Sequence, residues 1–273
     1  MSENIFNQTN KKLETLSNEV GFNIPVESVS LPSKGLIYPP EHPFHLTEET
    51  EIRCMSARDE DILTSRALIK KGTVISELLK SCLLNKSVDV DSLLVGDRNA
   101  LLIAIRVSGY GSSYSVKIEC SECSEQFDND FSLNGLAIKR LGVEPVSVGQ
   151  NLFNFRLPIS GQDIQFKLLT GVDDLMLTQQ ADKQKKLGSQ IDNSISRRIF
   201  QCIVSVSGET DRGKLNRIVS NLRAGDSLAL RRYIEKIEPG VEMKQEATCK
   251  QCGGVSTVDV PLGATFFWPD YGN

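Results

Sequence analysis

The chain has 273 residues, 40% of them hydrophobic, which is enough apolar material for one large or two small folded domains. Its formal charge of −4 lacks the basic excess that non-specific nucleic-acid binding usually shows. No apolar run approaches a membrane span and no secretory n-region or h-region opens the sequence, so cytoplasmic synthesis without membrane insertion or signal-peptide export is expected.

Residues 1 to about 30 are polar, Asn-rich and weakly periodic; Lys11 to Val20 has the material for a turn or two of helix, and the whole reads as an arm that orders on a partner. In Leu31-Pro-Ser-Lys-Gly-Leu-Ile-Tyr-Pro-Pro40, Gly35 permits a turn and the prolines impose extended backbone, so a hook is expected, closing a first segment of residues 1–50. His42 and His45 sit in a Pro-containing loop with no further ligand near in sequence, which favours a polar loop over a metal site. Glu51 to Met55 alternates as a strand does. Ser56 then caps a helix whose first turn carries Asp59, Glu60 and Asp61, where carboxylates offset the positive end of the dipole; no phosphate-binding Gly loop accompanies them, so helix-start chemistry is preferred to a magnesium site. Ile62, Leu63, Ala67 and Leu68 make its apolar stripe, and Lys70-Lys71-Gly72 its end. Further helices are predicted over Val74 to Leu84 and Asp97 to Val107.

Tyr114 to Phe127 then reads strand, tight turn, strand, with Cys120-Ser-Glu-Cys123 at the turn, and Phe127, Phe131 and Leu133 continue outward. A hairpin is predicted from Leu152 to Leu157 and Ile164 to Leu169 around Ser160-Gly161. Helices follow over Val172 to Lys186, with Lys183 to Lys186 as a solvated end, over Asn193 to Val206, and over Leu215 to Leu222. Met243 to Val255 repeats the turn with Cys249-Lys-Gln-Cys252, and Ala264 to Tyr271 places four aromatic residues together, to fold back on the core or to make contacts.

Two Cys-x-x-Cys turns supply the four thiolates that a tetrahedral zinc accepts, so Cys120, Cys123, Cys249 and Cys252 are the candidate ligands of one structural zinc per chain, with no position left open for catalytic water. Ordinary ribbons separate their turns by roughly fifteen to twenty residues, whereas here most of the protein lies between. Local disulfides, a redox pair or reduced core thiols are the alternatives; a thioredoxin-like motif would open a helix, and these turns are flanked by strand-like segments. Cys54, Cys82 and Cys202 lie in apolar runs and suit core packing in a reducing compartment.

Aligning the two turns brings Gly96-Asp97 onto Gly225-Asp226, Ala100 onto Ala229, Leu101 onto Leu230, Ile105 onto Ile234 and Gly111 onto Gly240. Strand and acidic helix start recur too, at Glu51 to Asp61 and at Ile164 to Asp174. The expected class is therefore α+β: two related helix-plus-hairpin halves, 51–143 and 144–273, joined through a discontinuous four-cysteine zinc-ribbon-like site and preceded by an extended arm.

With two histidines in one loop, no Gly-Lys-Ser/Thr loop and no dinucleotide Gly fingerprint, an enzyme is not expected. Two rivals remain: a zinc-ribbon nucleic-acid binder, opposed by Glu119, Glu122, Glu125 and Glu246 beside Lys117 and Lys250, and a Cys-x-x-Cys oxidoreductase. Leu31-Pro-Ser-Lys-Gly-Leu-Ile-Tyr38, Ala57-Arg-Asp-Glu-Asp-Ile-Leu63, Leu94-Val-Gly-Asp-Arg-Asn-Ala-Leu101, and Ser108-Gly-Tyr-Gly111 leading to Cys120-Ser-Glu-Cys123 resemble the baseplate hub subunit and hub-assembly proteins of T-even-type contractile-tailed bacteriophages, best from about 31 to 135. That resemblance implies a structural or morphogenetic role in the host cytoplasm and the virion tail baseplate. Its partners would be other baseplate and tail proteins, met through the arm and the aromatic tail, with self-association left open and neither membrane nor nucleic acid involved.

Overall fold

The computed structural model describes residues 15–17, 23–186, 193–260, 262 and 264–267. It has α+β architecture. β1 (Thr15–Ser17), β2 (Asn23–Ser30) and β3 (Glu49–Arg53) form an antiparallel sheet in that order. Residues 23–30, expected within the arm, are thus a strand, because Val26 and Val29 bury while the backbone pairs with Arg53 through Glu49. Thr15–Ser17, also expected within the arm, pairs with β2, and the rest of Lys11 to Val20 lies outside the described residues.

The hook follows β2 and packs inward, burying Leu31, Ile37, Tyr38 and Phe44. Gly35 has φ of 69°, and a Cβ there would meet the Phe44 carbonyl oxygen at 2.1 Å, so the turn admits glycine alone. After β3 come α1 (Ala57–Thr64) and α2 (Arg66–Lys71). The single helix expected here is broken at Ser65 (ψ 105°), and Ala67 and Leu68 consequently leave the core, with only Leu63 of the predicted stripe fully buried. α3 (Val74–Cys82) and α4 (Val95–Tyr110) come next, with Leu101, Ile103, Ala104 and Ile105 of α4 all buried.

The hairpin β4 (Ser113–Glu119) and β5 (Gln126–Ser132) leads through a 3-10 turn to the short β6 (Ile138–Lys139). β7 (Phe153–Arg156), β8 (Asp163–Phe166) and β9 (Ile203–Val206) make a second antiparallel sheet, with α5 (Gly171–Lys186) and α6 (Ser194–Cys202) inserted between the last two strands. The helix expected to reach Val206 stops at Cys202; Ile203-Val-Ser-Val is rich in residues branched at Cβ and gains more as an edge strand on β8 than as a further helical turn. α7 (Arg212–Ser220), α8 (Ala224–Ile237), β10 (Gly240–Val241) and the hairpin β11 (Lys244–Thr248) with β12 (Val255–Asp259) finish the body.

Phe266 and Phe267 lie in a last 3-10 turn and are buried, so these two rings fold back on the core and are not free contact groups; Trp268 and Tyr271 lie outside the described residues. The Phe266 carbonyl accepts from Nε of the buried Arg106 at 2.9 Å, and its ring meets Tyr114 edge-on at 5.1 Å. Early and late parts of the chain meet elsewhere as well: β6 pairs with β10, and Gly96 opens α4 so close to Pro239 that a Cβ would lie 1.9 Å from its carbonyl oxygen. Among the described residues no helix is long and apolar enough to cross a membrane.

Charged side chains are buried where helices begin. Asp59 is wholly buried, with both oxygens on the Arg53 guanidinium (2.7 and 2.8 Å) and further bonds from Ser81 Oγ and from the Ser56 N–H and hydroxyl. Burial by itself would raise its pKa, but these donors outweigh it and hold the carboxyl well below the usual range. A depressed folded-state pKa adds stability that is full above the unfolded value, about 4, and is lost as pH falls toward the folded one. Asp59→Ala is therefore expected to cost about 3–5 kcal/mol near pH 7. The gap from the parent protein should narrow steadily below about pH 4, as read by urea unfolding over a pH series; a pH-independent gap would contradict the assignment.

Candidate metal centre

The two Cys-x-x-Cys turns are built alike. Alternation along β4 and β5 buries Tyr114, Ile118, Phe127 and Phe131 on one face, with Ile118 opposite Phe127 and Tyr114 opposite Phe131. This seats the hairpin on the core and leaves its turn projecting. At the turn, the Cys120 N–H donates to the Glu125 carbonyl at 2.9 Å, and the Ser124 N–H to the Cys120 carbonyl at 2.9 Å. In the other hairpin the Cys249 N–H donates to the Gly254 carbonyl at 2.8 Å and the Gly253 N–H to the Cys249 carbonyl at 2.9 Å. Each turn passes through the left-handed region, at Ser124 (φ 58°) and at Gly253 (φ 75°).

The hairpins lock together through groups that the cysteine spacing does not announce. The Ser121 N–H donates to Ser256 Oγ at 3.3 Å, and the two serine hydroxyls are 3.0 Å apart. Gly254 lies against the Glu122 carboxylate, 2.6 Å from where a Cβ would stand, and Gly253 supplies the left-handed backbone of the turn.

The result is a cluster of four sulfurs from distant parts of the chain, all within 4.8 Å of one another. Cys120 Sγ is 3.7 Å from Cys252 Sγ, and Cys123 Sγ is 3.8 Å from Cys249 Sγ. A tetrahedral ion with metal–sulfur bonds of about 2.3 Å requires sulfur–sulfur edges of about 3.8 Å. A disulfide would bring two sulfurs to about 2.05 Å, and the closest contacts run across the turns, not within them. The donor set and its spacing thus fit a soft divalent ion. Cys120 and Cys249 are buried, while Cys123 and Cys252 face solvent.

Protonation of the cluster is uneven. N–H groups of Cys123 and Glu122 pull the Cys120 thiol down to about 6. The Glu125 N–H favours the Cys123 thiolate, yet loss of water and bonding to the other three sulfurs push Cys123 up to about 12, and Cys252 is also pushed up. Without a cation, four thiolates at this spacing repel; a bound ion reverses the balance and deprotonates its ligands outright.

The other sequence candidates are occupied elsewhere. His42 stacks on Tyr38 at 4.5 Å, with its Nε2 3.0 Å from Ser92 Oγ and its Nδ1 accepting the Phe44 N–H, while His45 Nδ1 meets the Tyr38 carbonyl oxygen at 2.6 Å. Asp59 serves Arg53, and Glu60 accepts from the Tyr110 hydroxyl at 2.5 Å. Cys82 and Cys202 are buried core thiols pushed up to about 12 by loss of water.

Two outcomes follow. Adding zinc to metal-free protein in weak buffer near pH 7 should release protons and remain saturable at about one ion per chain; a silent pH trace would contradict the cluster. Cys249→Ala should abolish tight binding and lower the melting temperature by more than a core Leu→Ala truncation, about 2–5 kcal/mol, as judged by metal analysis and calorimetry.

No curated protein and no solved structure matches the chain. The family model described as T4 bacteriophage base plate protein matches residues 28–268, which takes in the hook, the β7–β8–β9 sheet and all four clustered cysteines. The chain therefore belongs to the T4 bacteriophage base plate protein family.

Proposed function

We propose that this chain is a structural or morphogenetic tail protein, either a baseplate hub subunit or a factor in hub assembly. It acts through protein–protein contacts and without catalysis, in the host cytoplasm during assembly and in the virion tail. The family match over residues 28–268 is the observation that carries this reading. A structural zinc on Cys120, Cys123, Cys249 and Cys252 fits beside it, supported by the sulfur edges of 3.7 and 3.8 Å. Such ions contribute on the order of 10–16 kcal/mol in small metallo-peptides, against about 5–15 kcal/mol for the net stability of a whole domain. A zinc here would decide whether the two hairpins stay docked.

We further read the chain as an internal duplication whose halves share this zinc-ribbon-like site. Several independent details support the reading. Leu31-Pro-Ser-Lys-Gly35 after β2 has its counterpart in Leu157-Pro-Ile-Ser-Gly161 after β7, and each hook hangs on a buried aspartate in the first turn of a helix. Asp97 accepts from the Ser33 N–H at 2.9 Å; Asp226 accepts from the Ile159 and Ser160 N–H groups at 2.8 and 3.1 Å. Ser56 and Asp59 at the start of α1 correspond to Thr170 and Asp173 at the start of α5, with Arg53 and Lys167 as the cations on those aspartates. Cys82 ends α3 and Cys202 ends α6, and the residue after each joins the neighbouring sheet, Leu83 beside Ile52 and Ile203 beside Phe166.

Around the hairpins, exposed Glu119, Glu122, Glu125 and Glu246 mix with Lys117 and Lys250, a surface that speaks for protein contact over a phosphate backbone. Affinity capture of tagged chain from cells assembling whole tails is expected to retain other baseplate proteins at moderate salt. An eluate without them, or salt-sensitive retention of DNA in their place, would overturn the assembly role.

A further inference from the structure

The β4–β5 hairpin, seated on the core by one face, is acidic on the rest. Glu119, Glu122, Glu125, Asp128 and Asp130 are all exposed, and Lys117 is the one cation of residues 113–132. Glu122 lies against Gly254 of the other hairpin, and the next residue, Val255, is 55% exposed. A solvent-facing apolar side chain therefore stands beside these carboxylates.

The exposed side of α8 has the opposite character. Leu228, Arg232 and Lys236 follow one another four residues apart and so form a single line along the helix. Leu228 is 39% exposed and both cations face solvent, without an ion pair or a side-chain hydrogen bond among the described residues. Cations nearby on α6 and α7 do have partners: Arg198 meets Glu238 at 3.8 Å and Lys214 meets Glu209 at 2.7 Å. Past the helix start the line continues to the exposed Ile159, whose Cδ1 lies 2.4 Å from where a Gly225 Cβ would stand. A cavity of about 390 Å³ opens there, lined by Ile159, Ile218, Leu222 and Arg223. One surface thus offers an apolar depression followed by cations, the other an apolar side chain among carboxylates on a projecting hairpin. Such pairing of apolar centre and opposite charge is what protein interfaces use to fix register. A phosphate backbone asks for many neutralising contacts in a row, and here the cations alternate with apolar groups.

We propose that these two surfaces meet between copies of this chain: Val255 of one copy seats in the depression beside Ile159 and Leu222 of the next, and Glu122 and Glu125 face Arg223 and Arg232. Each copy carries both surfaces, so the contact is made twice in a reciprocal pair or repeats head to tail around a ring. The association draws on neither the tail role nor the bound ion, and stands or falls apart from them.

Sedimentation velocity of the full-length protein, from the micromolar to the millimolar range, should show mass rising above that of a single chain at about 0.1 M salt. The rise should shrink at about 1 M, where the screening length falls from about 10 to about 3 Å. Arg232→Glu and Glu125→Lys should each weaken association about tenfold or more, because each sets like charges against one another across the contact. Both changes in one chain restore opposite charges and should recover most of the loss. Lys70→Glu, at an exposed cation of α2, should leave association unchanged, with unaltered melting curves confirming that every variant folds. The proposal is overturned by single-chain mass throughout, by association indifferent to salt or to Arg232→Glu, or by a double variant no better than the single ones. Retention of a DNA duplex that Arg232→Glu abolishes, with the mass remaining that of a single chain, would assign the cations to nucleic acid and overturn it equally.

Discussion

Four sulfur atoms within 4.8 Å of one another are the most demanding arrangement in this molecule. Thiols hydrogen-bond weakly and thiolates at that spacing repel, so nothing in sulfur chemistry alone rewards the approach. The fold supplies it by seating each hairpin on an apolar face, fixing each turn with paired main-chain bonds, and tying Ser121 to Ser256 between them. Cys120 and Cys252 are 132 positions apart in sequence, so an ion bound there would close a very long loop.

A second constraint works without any metal. Asp97 and Asp226 are both fully buried, each in the first turn of a helix, and each takes its main-chain donors from a Leu-Pro hook. Burial raises the Asp97 pKa despite the hydrogen bonds from Ser33 and Tyr38, so this carboxyl is held at a desolvation cost. What it secures is geometry: the hook, which has no ladder partner of its own, is fixed to the helix that leads into the cysteine hairpin. Buried polar networks of this kind reward a single arrangement more than they add raw stability.

Arg106 is buried under the aromatic C-terminal turn, and each of its three side-chain nitrogens donates to a main-chain carbonyl. Its surroundings are a finished core. The α6–α8 face presents an exposed Ile195, and the Nε of Arg231 beside it is buried without a hydrogen-bond partner among the described residues.

Local chemistry made much of this legible in advance. The Cys-x-x-Cys turns, the Ser56 helix start, the Gly35 hook and most helices are written in short-range spacing, because turn geometry and capping depend on neighbours only a few residues away. The Leu-Pro hooks at residues 31–35 and 157–161 were also readable, yet the single offset that aligns the two cysteine turns does not superpose them. Three features were decided only by tertiary contacts. Ile203 to Val206 became strand because β8 offered an edge, residues 23–30 left the arm because β3 paired with them, and Phe266 was buried because Arg106 needed its carbonyl. The sequence alone determined which groups could bind, cap and turn; only the folded chain determined which of them meet, since burial and pairing are set by partners far away in sequence.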